Sequence, residues 1–243
     1  MNLILDVGNS FAKLAVFQDD ELLLKETVEK HQLQGRAEEI LNNFPQIGRI
    51  ILSKVSDAEF NLPIELREKY HLIHLGPDTP LPFENLYATP QTLGNDRKAL
   101  VAAASKYHPA GNVLVIDAGT CLTYDFKNSR NQYLGGAISP GLKMRYKALN
   151  AFTSNLPLVE PLDKVELIGD STLNSINSGI YLGMVAEIKG IIKEYRAEYQ
   201  DLIIIFTGGD AQFLSMRLKN SIFANSNFLL EGLNYILKFN TSQ

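Results

Sequence analysis

The feature that most constrains this chain is a repeat. An apolar run, Leu3-Ile4-Leu5, ends in Asp6-Val7-Gly8-Asn9-Ser10. At a distance of 111 residues, Val113-Leu114-Val115-Ile116 ends in Asp117-Ala118-Gly119-Thr120-Cys121. A second run follows each time, Leu14-Ala15-Val16-Phe17 and Thr123-Tyr124-Asp125-Phe126. Short apolar runs bounded by turn residues read as buried strands. The chain therefore reads as two halves that begin alike, with strand, tight turn and returning strand. Across 243 residues each half is long enough to enclose a core. His108-Pro109-Ala110-Gly111 marks the boundary, giving domains of residues 1–109 and 110–243.

Between the strands the apolar spacing predicts helices over residues 28–43, 57–70, 95–107, 141–152, 172–198 and 226–238. Ile50-Ile51-Leu52, residues 71–75 and Leu202-Ile203-Ile204-Ile205-Phe206 read as further strands. Strands mixed with helices give an α/β layout. Residues 76–93 hold four of the ten prolines and read as a long irregular loop of the kind that often serves function.

Composition narrows the partners. A net charge of −4 supplies no general field for nucleic acid or an anionic membrane, so any bound anion must be captured by local groups. No apolar run approaches the roughly 20 residues needed to span a bilayer. The first residues read as a strand and not as a signal peptide. Cys121 is the single cysteine, so no intrachain disulfide forms, and a reducing cytoplasm is expected. The four histidines do not combine with Cys121 at zinc-site spacing.

The repeated turns carry the chemistry. Gly8 allows backbone to approach a ligand, successive N–H groups in such a turn form an anion nest, and Lys13 adds a positive charge. Asp6 repels phosphate unless a cation lies between them. The alternative at each turn is an ordinary hairpin in which the aspartate satisfies turn N–H groups. Thr207-Gly208-Gly209-Asp210-Ala211 follows a third buried strand, and its glycines leave room for a flat adenine; the alternative is a plain strand-to-helix loop capped by Asp210. Gly94-Asn95-Asp96-Arg97 opens a helix. Arg97 there suits a carboxylate and Asp96 suits proton abstraction, unless the two form one solvated pair. No Gly-x-Gly-x-x-Gly, P-loop or Gly-x-Ser-x-Gly motif is present, which removes dinucleotide, P-loop and nucleophile-elbow chemistry.

Together these segments resemble the type III pantothenate kinases, members of the superfamily of acetate and sugar kinases, actin and heat-shock ATPase chaperones. The resemblance runs nearly end to end. It rests on Asp6-x-Gly-Asn-Ser-x-x-Lys13, Tyr87 with Pro90, Gly94-Asn95-Asp96-Arg97, Asp117-Ala-Gly-Thr120 with Thr123, Gly135-Gly-x-Ile-x-Pro-Gly141, Leu156-Pro157, Thr172 before Gly179, and Thr207-Gly-Gly-Asp-Ala211. It implies an α/β protein of two ribonuclease-H-like (actin-like ATPase) domains, with mixed sheets flanked by helices and an ATP cleft between them. The implied reaction phosphorylates pantothenate with ATP, the first step of coenzyme A biosynthesis. Asp96 is the implied catalytic base. Asp6, Val7, Gly8, Asn9, Ser10, Phe11, Ala12, Lys13, Thr120, Thr207, Gly208 and Gly209 are the implied ATP contacts. Tyr87, Gly94, Asn95, Asp96, Arg97 and Thr172 are implied for pantothenate. Asp117 is implied as ligand to a monovalent cation, potassium or ammonium. Asp6 is a second candidate ligand, through water on the Mg²⁺ that accompanies ATP. A cytoplasmic homodimer is implied, with no nucleic acid or membrane partner. The alternatives are another small-molecule kinase of the superfamily and a non-catalytic nucleotide-binding regulator.

Overall fold

The computed structural model describes residues 1–8, 11–54, 68–215, 218 and 223–241. It divides into two compact units, Met1–Pro109 with Asn227–Gln243, and Ala110–Ser226.

The first unit is built on β1 (Asn2–Val7), whose Leu3, Ile4 and Leu5 are fully buried. A strand that is apolar on both faces belongs in the middle of a covered sheet. β1 pairs antiparallel with β2 (Phe11–Gln18), which pairs antiparallel with β3 (Glu21–Glu29). On its other side β1 pairs in parallel with β4 (Arg49–Lys54), which pairs in parallel with β5 (His71–His74). The order is β3-β2-β1-β4-β5. Helix α1 (Leu33–Asn43) lays Leu33, Ala37, Ile40 and Leu41, all on one face, against Leu3, Leu5, Val16 and Ile50. Leu33, Ile40 and Leu41, each taken almost fully from water, contribute about 1.5–3 kcal/mol apiece, and Ala37 less. A two-residue strand β6 (Glu84–Asn85) and a short 3₁₀ turn (Pro90–Thr92) lie within the proline-rich stretch, ahead of α2 (Asn95–Tyr107).

The second unit repeats the plan. Its central strand β7 (Asn112–Ala118) pairs antiparallel with β8 (Cys121–Lys127), and β8 pairs antiparallel with β9 (Gln132–Pro140). Helices α3 (Leu142–Ala151), α4 (Thr172–Asn177) and α5 (Gly183–Glu198) follow, with a single π turn (Ser178–Leu182) joining the last two. β10 (Leu202–Thr207) returns parallel to β7, and after α6 (Ala211–Ser215) the short β11 (Phe223–Ala224) pairs in parallel with β10. Within this unit the order is β11-β10-β7-β8-β9, the same 5-4-1-2-3 arrangement as in the first. Met184, Val185, Ile188 and Ile192 of α5 pack against Leu122, Tyr124 and Phe126 of β8. Both units therefore have the ribonuclease-H-like, mixed-sheet architecture.

Three expectations change. Residues 28–29 do not begin a helix; they close β3, where Val28 pairs with Ala12, and α1 starts at Leu33. Residues 172–198 are helical but not one regular helix, because the π turn interrupts them. The closing helix α7 (Phe228–Thr241), placed by sequence with the second half, belongs to the first unit. Its Gly232 packs directly on α2, where a Cβ would lie 2.6 Å from the Ala99 carbonyl carbon. Its buried Asn234 accepts a hydrogen bond from Asn2 Nδ2 (2.7 Å) and donates to the Asp19 carbonyl (2.8 Å). Those bonds satisfy a fully buried amide, so its position is tightly specified. The helix predicted over 57–70 lies mostly outside the described residues.

Candidate active site

In the first unit the ladder itself assembles the site. Asp6 sits near the end of β1, where the register puts Lys13 of β2 on one side and Ser53 of β4 on the other. Ser53 Oγ donates to Asp6 Oδ1 at 3.0 Å. Burial raises the Asp6 carboxyl above the usual carboxylate range. Lys13 and the Ser53 hydroxyl oppose this, and the nearby Asp96 carboxylate adds to it. So Asp6 and Asp96, 90 residues apart in sequence, share one electrostatic environment. Gly8 N–H donates to the Phe11 carbonyl at 3.0 Å and closes the turn. Asn9 and Ser10 lie outside the described residues. Val7 and Ala12 are buried in the core, so only their backbone is open to a ligand role, whereas Phe11 and Lys13 are exposed.

The 94–97 turn is held from beneath. Asn95 Nδ2 donates to the Leu75 carbonyl at 2.9 Å and reaches the Lys54 carbonyl at 3.4 Å. Lys98, 2% exposed, donates to the Gly76 carbonyl (3.0 Å) and to Asn95 Oδ1 (3.2 Å). The Asn95 side chain thus ties the ends of β4 and β5 to the start of α2. Asp96 is exposed, and its Oδ1 accepts from Arg97 N–H at 2.8 Å. The solvated Asp96–Arg97 pair considered from sequence does not form, because Arg97 is buried and its guanidinium lies 5.4 Å over the Tyr87 ring. Tyr87, Asp96 and Arg97 are thereby gathered at one end of α2.

In the second unit three loops meet at the end of β7. Asp117 faces Thr123 of β8 and Thr207 of β10 in register. Gly119 N–H donates to the Cys121 carbonyl (2.9 Å), leaving Thr120 exposed at the tip. Gly208 has φ +102°, in the left-handed region, and crosses directly over Ala118 and the Asp117 carboxylate. Asp210 N–H donates to the Ala118 carbonyl at 2.9 Å and fixes that crossing. Burial raises the Asp210 carboxyl, and Lys143 opposes this. Thr207 is buried and its hydroxyl donates to the Asn225 carbonyl (2.7 Å); Thr123 turns its hydroxyl inward to Asp125 (3.3 Å). Thr172 stands exposed at the first position of α4, behind its N-cap Ser171.

Sequence reasoning missed Ser53 and Lys98. Ser53 directly follows the apolar run Ile50-Ile51-Leu52, and pairing that run in parallel with β1 would have placed it beside Asp6. Lys98 carries no such signal, since a lysine one turn into a helix is normally solvated. Among the described residues no group of three or more His, Cys, Asp or Glu side chains gathers as a metal site. Asp6 offers one carboxylate, one oxygen of which accepts from Ser53; a single carboxylate completed by phosphate oxygens and water is a donor set that suits Mg²⁺. No helix of the described residues is long and apolar enough to cross a membrane.

Comparison with known proteins adds an independent line. A family model described as type III pantothenate kinase matches residues 2–194. A Christiangramia forsetii protein named type III pantothenate kinase is 56% identical over 243 residues, covering 100% of both chains. A protein of the same name from Flavobacterium johnsoniae is 46% identical over 239 residues, covering 98% of each. Among solved structures, a Baf family protein from Campylobacter jejuni superposes with a TM-score of 0.64 at 23% identity, covering 99% of this chain and 100% of the other. The activator of 2-hydroxyisocaproyl-CoA dehydratase from Clostridium difficile, with bound ADPNP, gives 0.52 at 11% identity over 98% and 93%. At these identities the structural likeness speaks for the fold.

Proposed function

The chain belongs to the type III pantothenate kinase family, and from that premise we propose that it moves the γ-phosphate of ATP onto the primary hydroxyl of pantothenate. The observation that carries the reading is full-length identity of 56% to a pantothenate kinase. The placement of Asp96 in the field of Asp6 supports it.

The first unit supplies residues 6–13 as one phosphate loop and residues 94–97 with Tyr87 as the acceptor turn. The second supplies Asp117 and Thr120 as the other phosphate loop, the Gly208-Gly209 backbone for adenosine, and Thr172 for pantothenate. Asp96 takes the hydroxyl proton as the oxygen attacks the γ-phosphorus and ADP leaves. Arg97 orients the substrate carboxylate, and Tyr87 fixes the plane of its guanidinium. Val7, Ala12 and Thr207 contribute through their backbone, since their side chains are buried. The clamp made by Asn95 places Asp96 and Arg97, while its side chain serves the fold. Mg²⁺ bound with ATP would neutralise phosphate charge, with Asp6 holding its water. Asp117 would hold potassium or ammonium. The same reading has the protein working in the cytoplasm as a homodimer.

The test is product identification by mass spectrometry after incubation with ATP, Mg²⁺, K⁺ and pantothenate, beside parallel reactions with acetate and sugars. Phosphopantothenate from the pantothenate reaction alone is expected. Phosphorylation of a sugar or acetate instead, or no turnover at all, would overturn the reading.

A further inference from the structure

The turn that closes β9 rests against the second phosphate loop. At Gly141 a Cβ would overlap the Gly119 and Thr120 carbonyl oxygens and lie 2.8 Å from the Thr120 carbonyl carbon. Gly141 is therefore the residue on which the Gly119-Thr120 tip sits. One side chain holds this support. Arg145, on the first turn of α3, donates from Nε to the Pro140 carbonyl (2.8 Å) and from Nη2 to Ser139 Oγ (3.0 Å). Its Nη2 also donates to Glu187 Oε2 on α5. The other Glu187 oxygen accepts from the Tyr124 hydroxyl at 3.2 Å. Burial and the Glu187 carboxylate both hold that phenol well above its ordinary range, so it remains a proton donor at neutral pH. Arg145 is about four-fifths and Glu187 about three-quarters removed from solvent, at 20% and 27% side-chain exposure, so the pair is shielded more than a surface bridge. A fork of three donated bonds is something arginine provides and lysine does not.

We infer that Arg145, locked by Glu187 and Tyr124, is a positioning residue for nucleotide: it fixes the Ser139–Gly141 turn and through it the Gly119-Thr120 tip. This rests on the reading of residues 117–120 as a phosphate loop. The arrangement links the tip to α5, a rigid element of the core, by side chains that touch no reactant. A shift of about 1 Å in such a support costs binding or rate on the order of tenfold to a hundredfold.

The experiment compares Arg145→Met, Arg145→Lys, Glu187→Gln and a control, Tyr146→Phe. The control removes a buried hydrogen bond from the same helix to Asn177 (2.7 Å) and leaves the turn alone. Mg-ATP affinity is read from the ligand-induced rise in Tm, which needs no acceptor, and KM values for ATP and pantothenate are read separately. Expected for Arg145→Met is ATP affinity lowered by about tenfold, with the pantothenate KM within about twofold of wild type. Arg145→Lys should recover part of the loss, and Glu187→Gln should show a smaller loss in the same direction. Wild-type ATP affinity in Arg145→Met, or in Glu187→Gln if the first variant does not fold, overturns the inference. So does an equal loss in Tyr146→Phe, which would mark general destabilisation. Failure of the functional reading looks different: wild-type protein would bind ATP yet leave pantothenate unphosphorylated. Wild-type protein that does not bind ATP overturns both.

Discussion

Gly208 and Gly209 are neighbours of one type in one loop, and the structure gives them opposite tolerance. At Gly208, φ is +102°, and an added Cβ would lie 2.5 Å from the Ala118 carbonyl carbon and overlap the Asp117 carboxylate. At Gly209 an added Cβ meets nothing within 4 Å. For Gly208→Ala, a non-glycine residue held in that backbone region costs about 1–3 kcal/mol. Overpacking against backbone that Asp210 N–H already holds costs about another 1–3 kcal/mol. The lower entropy of the unfolded chain returns about 0.4–1 kcal/mol. The net loss is centred near 3 kcal/mol, and at about 2–4 °C per kcal/mol for a chain of this size Tm falls by roughly 6–12 °C. Gly209→Ala should stay within about 0.5 kcal/mol, as surface changes do. If the loop backbone lies against adenosine, Gly209→Ala raises the ATP KM without moving Tm. Thermal unfolding without nucleotide, followed by ATP titration, separates the two effects. Equal Tm losses in both variants, or a larger loss at Gly209, would refute the reasoning.

Three further outcomes are expected. Asp96→Asn should lower kcat by roughly 10²–10⁴ while ATP affinity holds, as removal of a general base does; unchanged turnover in a coupled ADP assay would remove that role. Exchanging potassium for sodium should slow the reaction, whereas equal rates in both salts would count against a monovalent cation at Asp117. Burial pushes the Lys127 ammonium down to about 8, below its unfolded value near 10.4. The unfolded chain therefore binds more protons between those values, and stability attributable to Lys127 rises with pH across that window, by about 3 kcal/mol in all. Relative to Lys127→Met, wild-type protein should gain unfolding free energy between pH 7.5 and pH 10 in urea titrations; a constant difference would refute the shift.

The sequence makes some of this legible and hides the rest for identifiable reasons. β1 and β7 can be read because their runs are apolar on both faces, which only a central strand needs. β3 cannot, because Leu22-Leu23-Leu24-Lys25-Glu26 is made of good helix formers and becomes a strand only by pairing with β2. α2 can be placed to the residue, since a glycine turn precedes it and a dense alanine run fills it. The home of α7 depends on Gly232 meeting Ala99 and on Asn234 meeting Asn2, contacts across more than 100 residues that no local pattern encodes. Asn95 shows a different limit. A polar residue in a motif looks the same whether its amide faces a ligand or two strand-end carbonyls, and here it faces the carbonyls.

The two aspartates that define the repeat occupy equivalent places, each near the end of the central strand of a 5-4-1-2-3 sheet. Their neighbours in the ladder do not match. Asp6 lies between Lys13 and Ser53, and Asp117 between Thr123 and Thr207. The antiparallel partner thus changes from an amine to a hydroxyl. An amine beside a carboxylate lowers the cost of keeping Asp6 ionised under burial, and under the proposed function it gives the first loop a cation of its own to face phosphate. At Asp117 both ladder neighbours are threonines whose hydroxyls are engaged elsewhere, Thr207 with the Asn225 carbonyl and Thr123 with Asp125, so the ladder places no amine beside that carboxylate. One fold, used twice, therefore sets its two aspartates in unlike surroundings. The proposed assignments, a monovalent ion at Asp117 and Mg²⁺-bound water at Asp6, come from the family resemblance; the ladder adds that of the two aspartates Asp6 is the one with an amine, Lys13, in register beside it.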